Sequence, residues 1–362
     1  MSAQQTSTPS LLGKPVGRTG FGLMGLTWAQ QQTPDEQAFA TMDAALATGS
    51  NFWNGGEFYG SPTPTLNLSL INRYFTQNPE AASKVILSIK GGVNLSTFKP
   101  DGSPDGIRRS IDNILSHLDG KKFLDIFECA RVDTSTPIET TISAIAEYVK
   151  AGKVGGIGLS ESSASTIRKA HAIHPIAAVE VEFSLFSTEI LTNGVASTCA
   201  ELGIPIVAYS PVGRGFLTGQ IKTLSDIPEG DMRRNFERFY PENFDKNIQL
   251  VHEIEEVARR KGVTPAQLAL SWVRYQSGRD GMPVIVPIPG TTKKERVEEN
   301  AKEVELSKED MKEIDGLLKS FTVVGGRYNK HLDLVDCRLE RDGVGEAQHL
   351  SRNCQHDSVL KR

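Results

Sequence analysis

The sequence lacks the features that mark disulfide-rich, metal-binding and membrane proteins. Its four cysteines are scattered and form no CxxC pair, so we expect neither a disulfide framework nor a metal site. No apolar run approaches the roughly 20 residues of a transmembrane helix, and the N-terminus shows neither the charged nor the apolar segment of a secretion signal. These absences predict a cytoplasmic protein.

An excess of positive charge is also missing. The 362 residues carry a formal net charge of -4, which argues against nucleic acid or an anionic membrane as the main partner. With 38% hydrophobic residues, the chain can bury a large core. Any binding of anions must therefore depend on local clusters of positive charge.

From residue 33 onward, short apolar runs alternate with amphipathic stretches. Two of these stretches begin Thr33-Pro34-Asp35-Glu36 and Thr136-Pro137-Ile138-Glu139, where we expect the threonine to cap a helix and the glutamate to complete a capping box. The apolar runs are typical of strands buried on both faces of a parallel sheet, and we place them at residues 21–24, 51–53, 85–89, 124–128, 154–159, 178–182, 205–208 and 284–288. This alternation predicts an α/β protein, a single (β/α)8 TIM barrel with additional helices over residues 1–337.

An open, doubly wound dinucleotide-binding sheet would show the same alternation. It is disfavoured because no strand is followed by G-x-G-x-x-G, and Gly156-Ile157-Gly158 lacks the third glycine.

Two regions depart from the alternation. The connection over residues 213–247 contains Arg233, Arg234 and Arg238, and its length makes it a candidate lid over the site. Residues 338–362 are polar and irregular, and we expect a mobile C-terminal tail without chemistry.

In such a barrel the functional site forms at the carboxyl ends of the strands. Polar residues follow four of the predicted strands: Asn54-Gly-Gly-Glu57-Phe-Tyr59-Gly60, Lys90-Gly91-Gly92, Glu128-Cys-Ala130-Arg131-Val-Asp133 and Tyr209-Ser210-Pro211. We expect these segments to meet at one end of the barrel.

The run N-F-W-N-G-G-E-F-Y-G, with a lysine at the end of the next strand, resembles the signature of the aldo-keto reductase family. The resemblance continues through residues 155–160, 178–185, 207–219 and 288–300 and covers all but the first residues and the tail. W-N-x-G-E-F-Y-G, C-A-R-V-D and G-x-R-Y-N-K are similar to the fungal pyridoxal reductases in this family. The resemblance implies an enzyme that reduces an aldehyde to an alcohol with NADPH.

The resemblance also assigns catalytic roles. Tyr59 would donate a proton to the carbonyl oxygen as hydride arrives, and the Lys90 ammonium would ease loss of that proton. Two positions depart from the family pattern: Asn54 replaces the carboxylate that pairs with the lysine, and Ala130 replaces a histidine that helps hold the carbonyl. Because an amide cannot neutralise Lys90, we expect its positive charge to act on Tyr59 with less compensation.

The nicotinamide would contact three residues by the same resemblance. Tyr209 would stack under its ring, while Ser160 and Glu180 would bind its carboxamide, Glu180 standing where glutamine is usual. The backbone of Ser210, Pro211, Val212 and Gly213 would then follow the pyrophosphate.

The segment Gly290-Thr291-Thr292-Lys293-Lys294-Glu295-Arg296 carries the local positive charge. We expect a capping box between Thr292 and Glu295, which would place the two lysines in the first turn of a helix, where the helix dipole disfavours cations. A bound 2′-phosphate would compensate for this, with Gly290, Thr292, Lys293 and Arg296 around it and Glu299 and Asn300 at the adenine. This favours NADPH over NADH, although a solvated run of charges is the alternative.

The substrate follows from the resemblance alone, which points to pyridoxal, reduced to pyridoxine in vitamin B6 metabolism. A broad-specificity aldehyde reductase is a second interpretation. A nicotinamide-binding regulatory subunit with little turnover, similar to the reductase-like subunits of potassium channels, is a third. The departures at Asn54 and Ala130 also leave open a protein without activity, whereas intact Tyr59 and Lys90 favour catalysis.

Overall fold

The computed structural model describes residues 8–29 and 31–329. A two-stranded hairpin, β1 (Ser10–Leu11) and β2 (Lys14–Pro15), precedes a sheet of eight parallel strands whose order follows the chain. These strands are β3 (Phe21–Gly22), β4 (Phe52–Gly56), β5 (Ile86–Gly91), β6 (Leu124–Cys129), β7 (Val154–Ser160), β8 (Ile176–Glu182), β9 (Ile206–Tyr209) and β10 (Ile285–Pro287). Each overlaps one of the strands predicted from the sequence.

The sheet closes between its first and last strands. Gly22 forms a parallel bridge with Gly290, and the Gly20 N–H donates to the Pro287 carbonyl oxygen at 2.9 Å. Closure confirms the predicted (β/α)8 barrel. The boundary at residue 337 and the tail over residues 338–362 lie outside the described residues, so that division stays a prediction.

Helices connect the strands and surround the barrel. They are α1 (Met24–Thr27), α2 (Asp35–Ala47), α3 (Leu66–Gln77), α4 (Pro104–Leu118), α5 (Ile138–Lys150), α6 (Ala164–Ile173), α7 (Val195–Glu201), α8 (Pro241–Lys261), α9 (Pro265–Gln276), α10 (Lys294–Ala301) and α11 (Lys308–Ser320). In the part of the chain that the structure describes, none of them is long and apolar enough to cross a bilayer.

The barrel interior is apolar at the amino ends of the strands. A buried cluster there contains Phe52, Ile86, Ile126, Ala178, Val207 and Val286, and the hairpin residue Leu11 packs against it. Side chains alternate between the two faces of a strand, so Asn54, Ser88, Glu128 and Glu180, two positions further along, also face the interior. A polar layer thus lies directly above an apolar base.

The capping boxes predicted at three helix starts are wrong. Pro34 and Pro137 are themselves the N-cap residues of α2 and α5, and neither helix has a side-chain cap. With ψ of 145° and 133°, these prolines are extended and lie just outside the helix. Each threonine therefore lies one residue before the N-cap and cannot cap the first turn. At α10 the N-cap residue is Lys293, again without a side-chain cap.

The long connection over residues 213–247 is shorter than expected because α8 begins at Pro241. The rest contains four short 3-10 segments, and the three arginines that the sequence analysis singled out bind protein groups. Arg233 pairs with Asp231 at 2.7 Å, Arg234 donates to the Ile227 carbonyl oxygen at 2.6 Å, and buried Arg238 donates to the Ser187 hydroxyl at 2.8 Å. These contacts hold the connection in place, and its movement as a lid stays a prediction.

Candidate active site

Four buried polar side chains form one cluster in the polar layer of the barrel. The Lys90 ammonium donates to the Asn54 amide oxygen at 2.5 Å and to the Glu180 carboxylate at 2.6 Å. The Asn54 amide nitrogen in turn donates to Glu180 at 2.7 Å and to Glu128 at 3.2 Å. The groups come from β4, β5, β6 and β8, so only closure of the barrel brings them together. We call Asn54, Lys90, Glu128 and Glu180 the lysine cluster.

The expectation that the positive charge of Lys90 acts on Tyr59 with less compensation is wrong. Besides Glu180, the Glu128 carboxylate lies 3.5 Å from its ammonium. Attraction to both carboxylates outweighs burial and raises the pKa of Lys90 above its usual value. The carboxylate missing at Asn54 is therefore supplied from β8, with a second one from β6.

Tyr59 lies beside this cluster and is buried, with 9% of its surface exposed. The Lys90 nitrogen is 5.6 Å from its ring centroid. Trp28 and Phe58 pack against the ring at centroid distances of 5.6 and 5.1 Å. On the remaining side the ring lies against Gly56, where a Cβ atom would come within 2.8 Å of Tyr59 Cγ.

The pKa of Tyr59 reflects both burial and these charges. Burial raises it to about 12, the Lys90 ammonium opposes that rise, and the Glu180 and Glu128 carboxylates add to it. The phenol is therefore fully protonated near neutral pH, as a proton donor has to be. Its strength as an acid depends on how much of the lysine charge the carboxylates cancel.

Glu57 anchors the loop that carries Tyr59. Its carboxylate, fully buried, accepts from the Ser110 hydroxyl at 2.5 Å and from the Asn113 amide at 2.8 Å, both on α4. Its N–H donates to the Lys90 carbonyl oxygen at 2.8 Å. The sequence analysis assigns no role to Glu57. The feature that could have indicated one is a charged residue directly after two glycines at the end of a strand.

The predicted nicotinamide residues lie at the same end of the barrel. Ser160 and Glu180 are paired in register between β7 and β8, and Tyr209 ends β9. Glu180, predicted to bind the carboxamide, instead bonds to Lys90 and Asn54 within the lysine cluster. The Tyr209 hydroxyl lies 2.8 Å from the Tyr328 hydroxyl, which accepts from Arg131 at 3.0 Å.

The late segment that contains Tyr328 therefore reaches the site, which sequence reasoning missed. The Arg214 guanidinium lies 4.3 Å from the Tyr328 ring centroid and pairs with Glu182 at 2.7 Å. Arg327 pairs with Glu161 at 2.9 Å, just after β7. The feature that could have indicated this is the motif G-x-R-Y-N-K, which the sequence analysis used only as part of the family resemblance.

After β9 the backbone makes a tight turn of the kind that exposes N–H groups. Ser210 and Gly213 both have positive φ, 49° and 59°, and the Gly213 N–H donates to the Ser210 carbonyl oxygen at 2.9 Å. Left-handed backbone at a serine is unusual and is concentrated at functional sites. Together with Pro211 and Val212, this turn offers backbone groups suited to an anion such as a pyrophosphate.

The predicted phosphate-binding segment lies at the start of α10, next to the point where the barrel closes. Lys293 and Lys294 are exposed, and Arg296, Glu299 and Asn300 are partly exposed. Thr292 does not cap the helix; its carbonyl oxygen accepts from Gln37 at 2.7 Å, while the Thr291 hydroxyl accepts from the Lys293 N–H at 3.1 Å. Positive side chains and N–H groups at a helix start suit a phosphate.

Comparison with known proteins identifies the class. The model of the aldo/keto reductase family matches residues 18–319, and the chain belongs to this family of oxidoreductases, which use nicotinamide cofactors. A Schizosaccharomyces pombe protein named "Probable pyridoxal reductase 2" is 45% identical over 331 residues, covering 90% of this chain and 98% of that protein. Another protein of that organism, named as the NADP(+) aldo-keto reductase yakc, is 40% identical and covers 86% of this chain and 92% of itself.

A solved structure shows the same fold. The glycerol dehydrogenase of Gluconobacter oxydans superimposes with a TM-score of 0.76 and covers 89% of this chain and 98% of its own, at 22% identity. The fold shared at that low identity is the barrel.

Proposed function

We propose that this protein reduces pyridoxal to pyridoxine with NADPH and that Tyr59 donates the proton. The observation that carries the proposal is the buried phenol of Tyr59, held beside the Lys90 ammonium at the end of the barrel where Ser160 and Tyr209 also lie. Similarity to a relative named as a pyridoxal reductase suggests the substrate. NADPH, when bound, supplies the hydride to the carbonyl carbon.

The residues of the chain then have separate tasks. The Tyr59 O–H bond breaks as its proton passes to the carbonyl oxygen, and the Lys90 ammonium stabilises the phenolate left behind. Glu57 fixes the loop that orients Tyr59. Ala130 is buried at the end of β6 and carries no hydrogen-bonding side chain, so the donor at the carbonyl is Tyr59.

The preference for NADPH rests on Lys293 and Arg296 at the start of α10 and on the relative whose name includes NADP(+). We expect NADPH to bind at least about tenfold more tightly than NADH, about 1.4 kcal/mol. Fluorescence titration measures both dissociation constants. Arg296→Ala should lose most of the preference, and an unchanged ratio would remove the phosphate site from the proposal.

The decisive experiment follows NADPH oxidation by the purified protein with and without pyridoxal. Tyr59→Phe should abolish most turnover while NADPH binding stays nearly constant, because the hydroxyl acts mainly in the transition state. Tyr148→Phe is the matched control, since it removes one hydroxyl that donates to Asp112 at 2.9 Å on the outer helices. Turnover of Tyr59→Phe within a few-fold of the parent would reject the assignment.

The same assay separates the alternatives. Faster turnover of simple aromatic aldehydes than of pyridoxal would favour a broad aldehyde reductase. Tight NADPH binding without turnover of any aldehyde would favour a regulatory subunit. A cytoplasmic location belongs to the proposal as well; buried free thiols at Cys129 and Cys199 agree with a reducing compartment, and cell fractionation checks it.

A further inference from the structure

The lysine cluster contains two carboxyl groups but only one positive charge. Glu128 and Glu180 are 3% and 2% exposed, and both face the ammonium of Lys90. With both carboxylates ionised, the buried cluster would hold a net charge of one negative unit. Burying an uncompensated charge is costly, and a group in that position usually takes up a proton.

The hydrogen bonds of the cluster indicate where that proton lies. Glu128 Oε2 accepts from the Ser88 hydroxyl at 3.0 Å and from Asn54. Its other oxygen, Oε1, is buried and has no hydrogen-bond partner among the described residues. Both carboxyl groups nevertheless accept from the same Asn54 amide nitrogen, Glu128 at 3.2 Å and Glu180 at 2.7 Å, which places them next to each other. A proton between them would turn a repulsive contact into a hydrogen bond.

We propose that Glu128 and Glu180 share one proton in the resting protein, and that loss of this proton switches off proton donation by Tyr59. The proposal rests on the proposed function, in which Tyr59 is the donor. In this role Glu128 is a positioning residue, since it acts on Tyr59 through Lys90 and Glu180. With the shared proton the cluster is neutral. When the proton leaves to solvent, the extra negative charge disfavours formation of the Tyr59 phenolate.

The pKa values of the groups around the pair agree with this order of events. Burial, with repulsion from Glu128 next, raises the pKa of Glu180 to about 8, well below the value of about 12 for Tyr59. The groups facing the pair are Asn54 from β4, Tyr59 from the loop after it, Ser88 and Lys90 from β5, and the Cys129 thiol beside Glu128, whose pKa burial raises to about 12. The carboxyl pair is therefore the first of these groups to lose a proton as pH rises.

The test measures kcat/KM for pyridoxal at saturating NADPH between about pH 6 and pH 10. In the parent protein the activity should fall tenfold per pH unit above about pH 8, the pKa of Glu180. In Glu128→Gln only one carboxylate faces Lys90, so the cluster is neutral without a shared proton. The fall in kcat/KM should therefore begin at least about one pH unit higher than in the parent. Glu180→Gln should shift the fall in the same direction. Glu201→Gln, which removes a carboxylate that pairs with Arg168 on the outer helices, should leave the position of the fall unchanged.

A second measurement does not depend on turnover. Infrared difference spectra of the parent should show a protonated carboxyl band that disappears as the pH passes about 8 and that is missing in Glu128→Gln. A fall at the same pH in both glutamine variants, or a parent without that band, would overturn the shared proton. An inactive parent, or an active Tyr59→Phe, would instead reject the proposed function, while the infrared result still decides the protonation.

Discussion

Gly56 lies against the ring of Tyr59, the proposed proton donor, and adding one methyl group there tests the site directly. A Cβ atom at residue 56 would lie 2.8 Å from Tyr59 Cγ and 2.9 Å from both Cδ atoms, whereas ordinary contacts begin at 3.4 Å. The ring would have to retreat by about 0.6 Å, and the neighbouring rings of Trp28 and Phe58 limit where it can go. Because these are the atoms nearest the backbone, a rotation of the ring does not relieve the contact.

The expected loss in Gly56→Ala is therefore catalytic. A displacement of about 1 Å in a reacting group costs roughly a hundredfold in rate, so a shift of this size should lower kcat for pyridoxal by about ten- to a hundredfold, or about 1.4–2.7 kcal/mol. The dissociation constant for NADPH should change little, since no cofactor-binding residue moves. Steady-state kinetics and fluorescence titration measure the two quantities.

Gly25→Ala provides the matched control. Gly25 lies in α1, and a Cβ atom there would meet nothing within 4 Å. We expect kcat of Gly25→Ala to equal that of the parent. If Gly56→Ala kept kcat within about threefold of the parent, the close fit of Tyr59 against the backbone would not matter for proton donation, and the positional argument would be refuted.

Two further predictions concern stability, and urea denaturation measures both. Asp125→Asn should lower the free energy of unfolding by about 3–5 kcal/mol, because the Asp125 carboxylate pairs with the buried Lys122 ammonium. Asp105→Asn, at an exposed carboxylate, should hardly change the free energy of unfolding, and equal losses in the two variants would contradict the reasoning. Gly316→Ala, in the interior of α11 where a Cβ atom meets nothing within 4 Å, should raise the free energy of unfolding by roughly 0.5–1 kcal/mol, and a decrease would show that the position is strained.

The barrel could be predicted from the sequence because its strands are continuous apolar runs separated by amphipathic stretches. That pattern depends on neighbouring residues alone, and all eight strands overlap the positions where it places them. The helix starts are harder to predict, since a threonine before a proline satisfies the same pattern whether the proline lies inside or just outside the helix. At α2 and α5 the extended ψ of Pro34 and Pro137 decides the matter.

The candidate site could be predicted only in part, for a reason of a different kind. Tyr59 and Lys90 belong to a recognisable motif. Glu128 and Glu180 belong to none that reveals their contact with Lys90, because the sequence does not show which side chains meet across the barrel interior. These long-range contacts determine the charge around Lys90. The sequence therefore suggests that Lys90 lacks a carboxylate partner, whereas the structure places two carboxyl groups beside it.

Exchanging the side chains of residues 54 and 180 tests whether a carboxylate on β4 can replace the one on β8 as the partner of Lys90. Asn54→Asp adds a third carboxylate to the cluster and removes the amide that donates to Glu180 at 2.7 Å and to Glu128 at 3.2 Å. We expect this change to lower the free energy of unfolding by several times the roughly 1 kcal/mol of a typical hydrogen bond. Glu180→Gln alone replaces a charged partner of Lys90 by a neutral amide.

In the double variant, Asn54→Asp with Glu180→Gln, the losses should partly cancel. The new carboxylate at position 54 would accept from Lys90, and the new amide at position 180 would donate to that carboxylate, so the cluster would regain its original charge and most of its hydrogen bonds. A double-mutant cycle measured by urea denaturation should give a coupling free energy of about 1–3 kcal/mol in favour of the double variant. Losses that add within about 0.5 kcal/mol would mean that residues 54 and 180 do not act as a pair. In that case Lys90 would be balanced mainly by Glu128, 3.5 Å away, and Glu180 would be free for the contact with the nicotinamide that the family resemblance assigns to it.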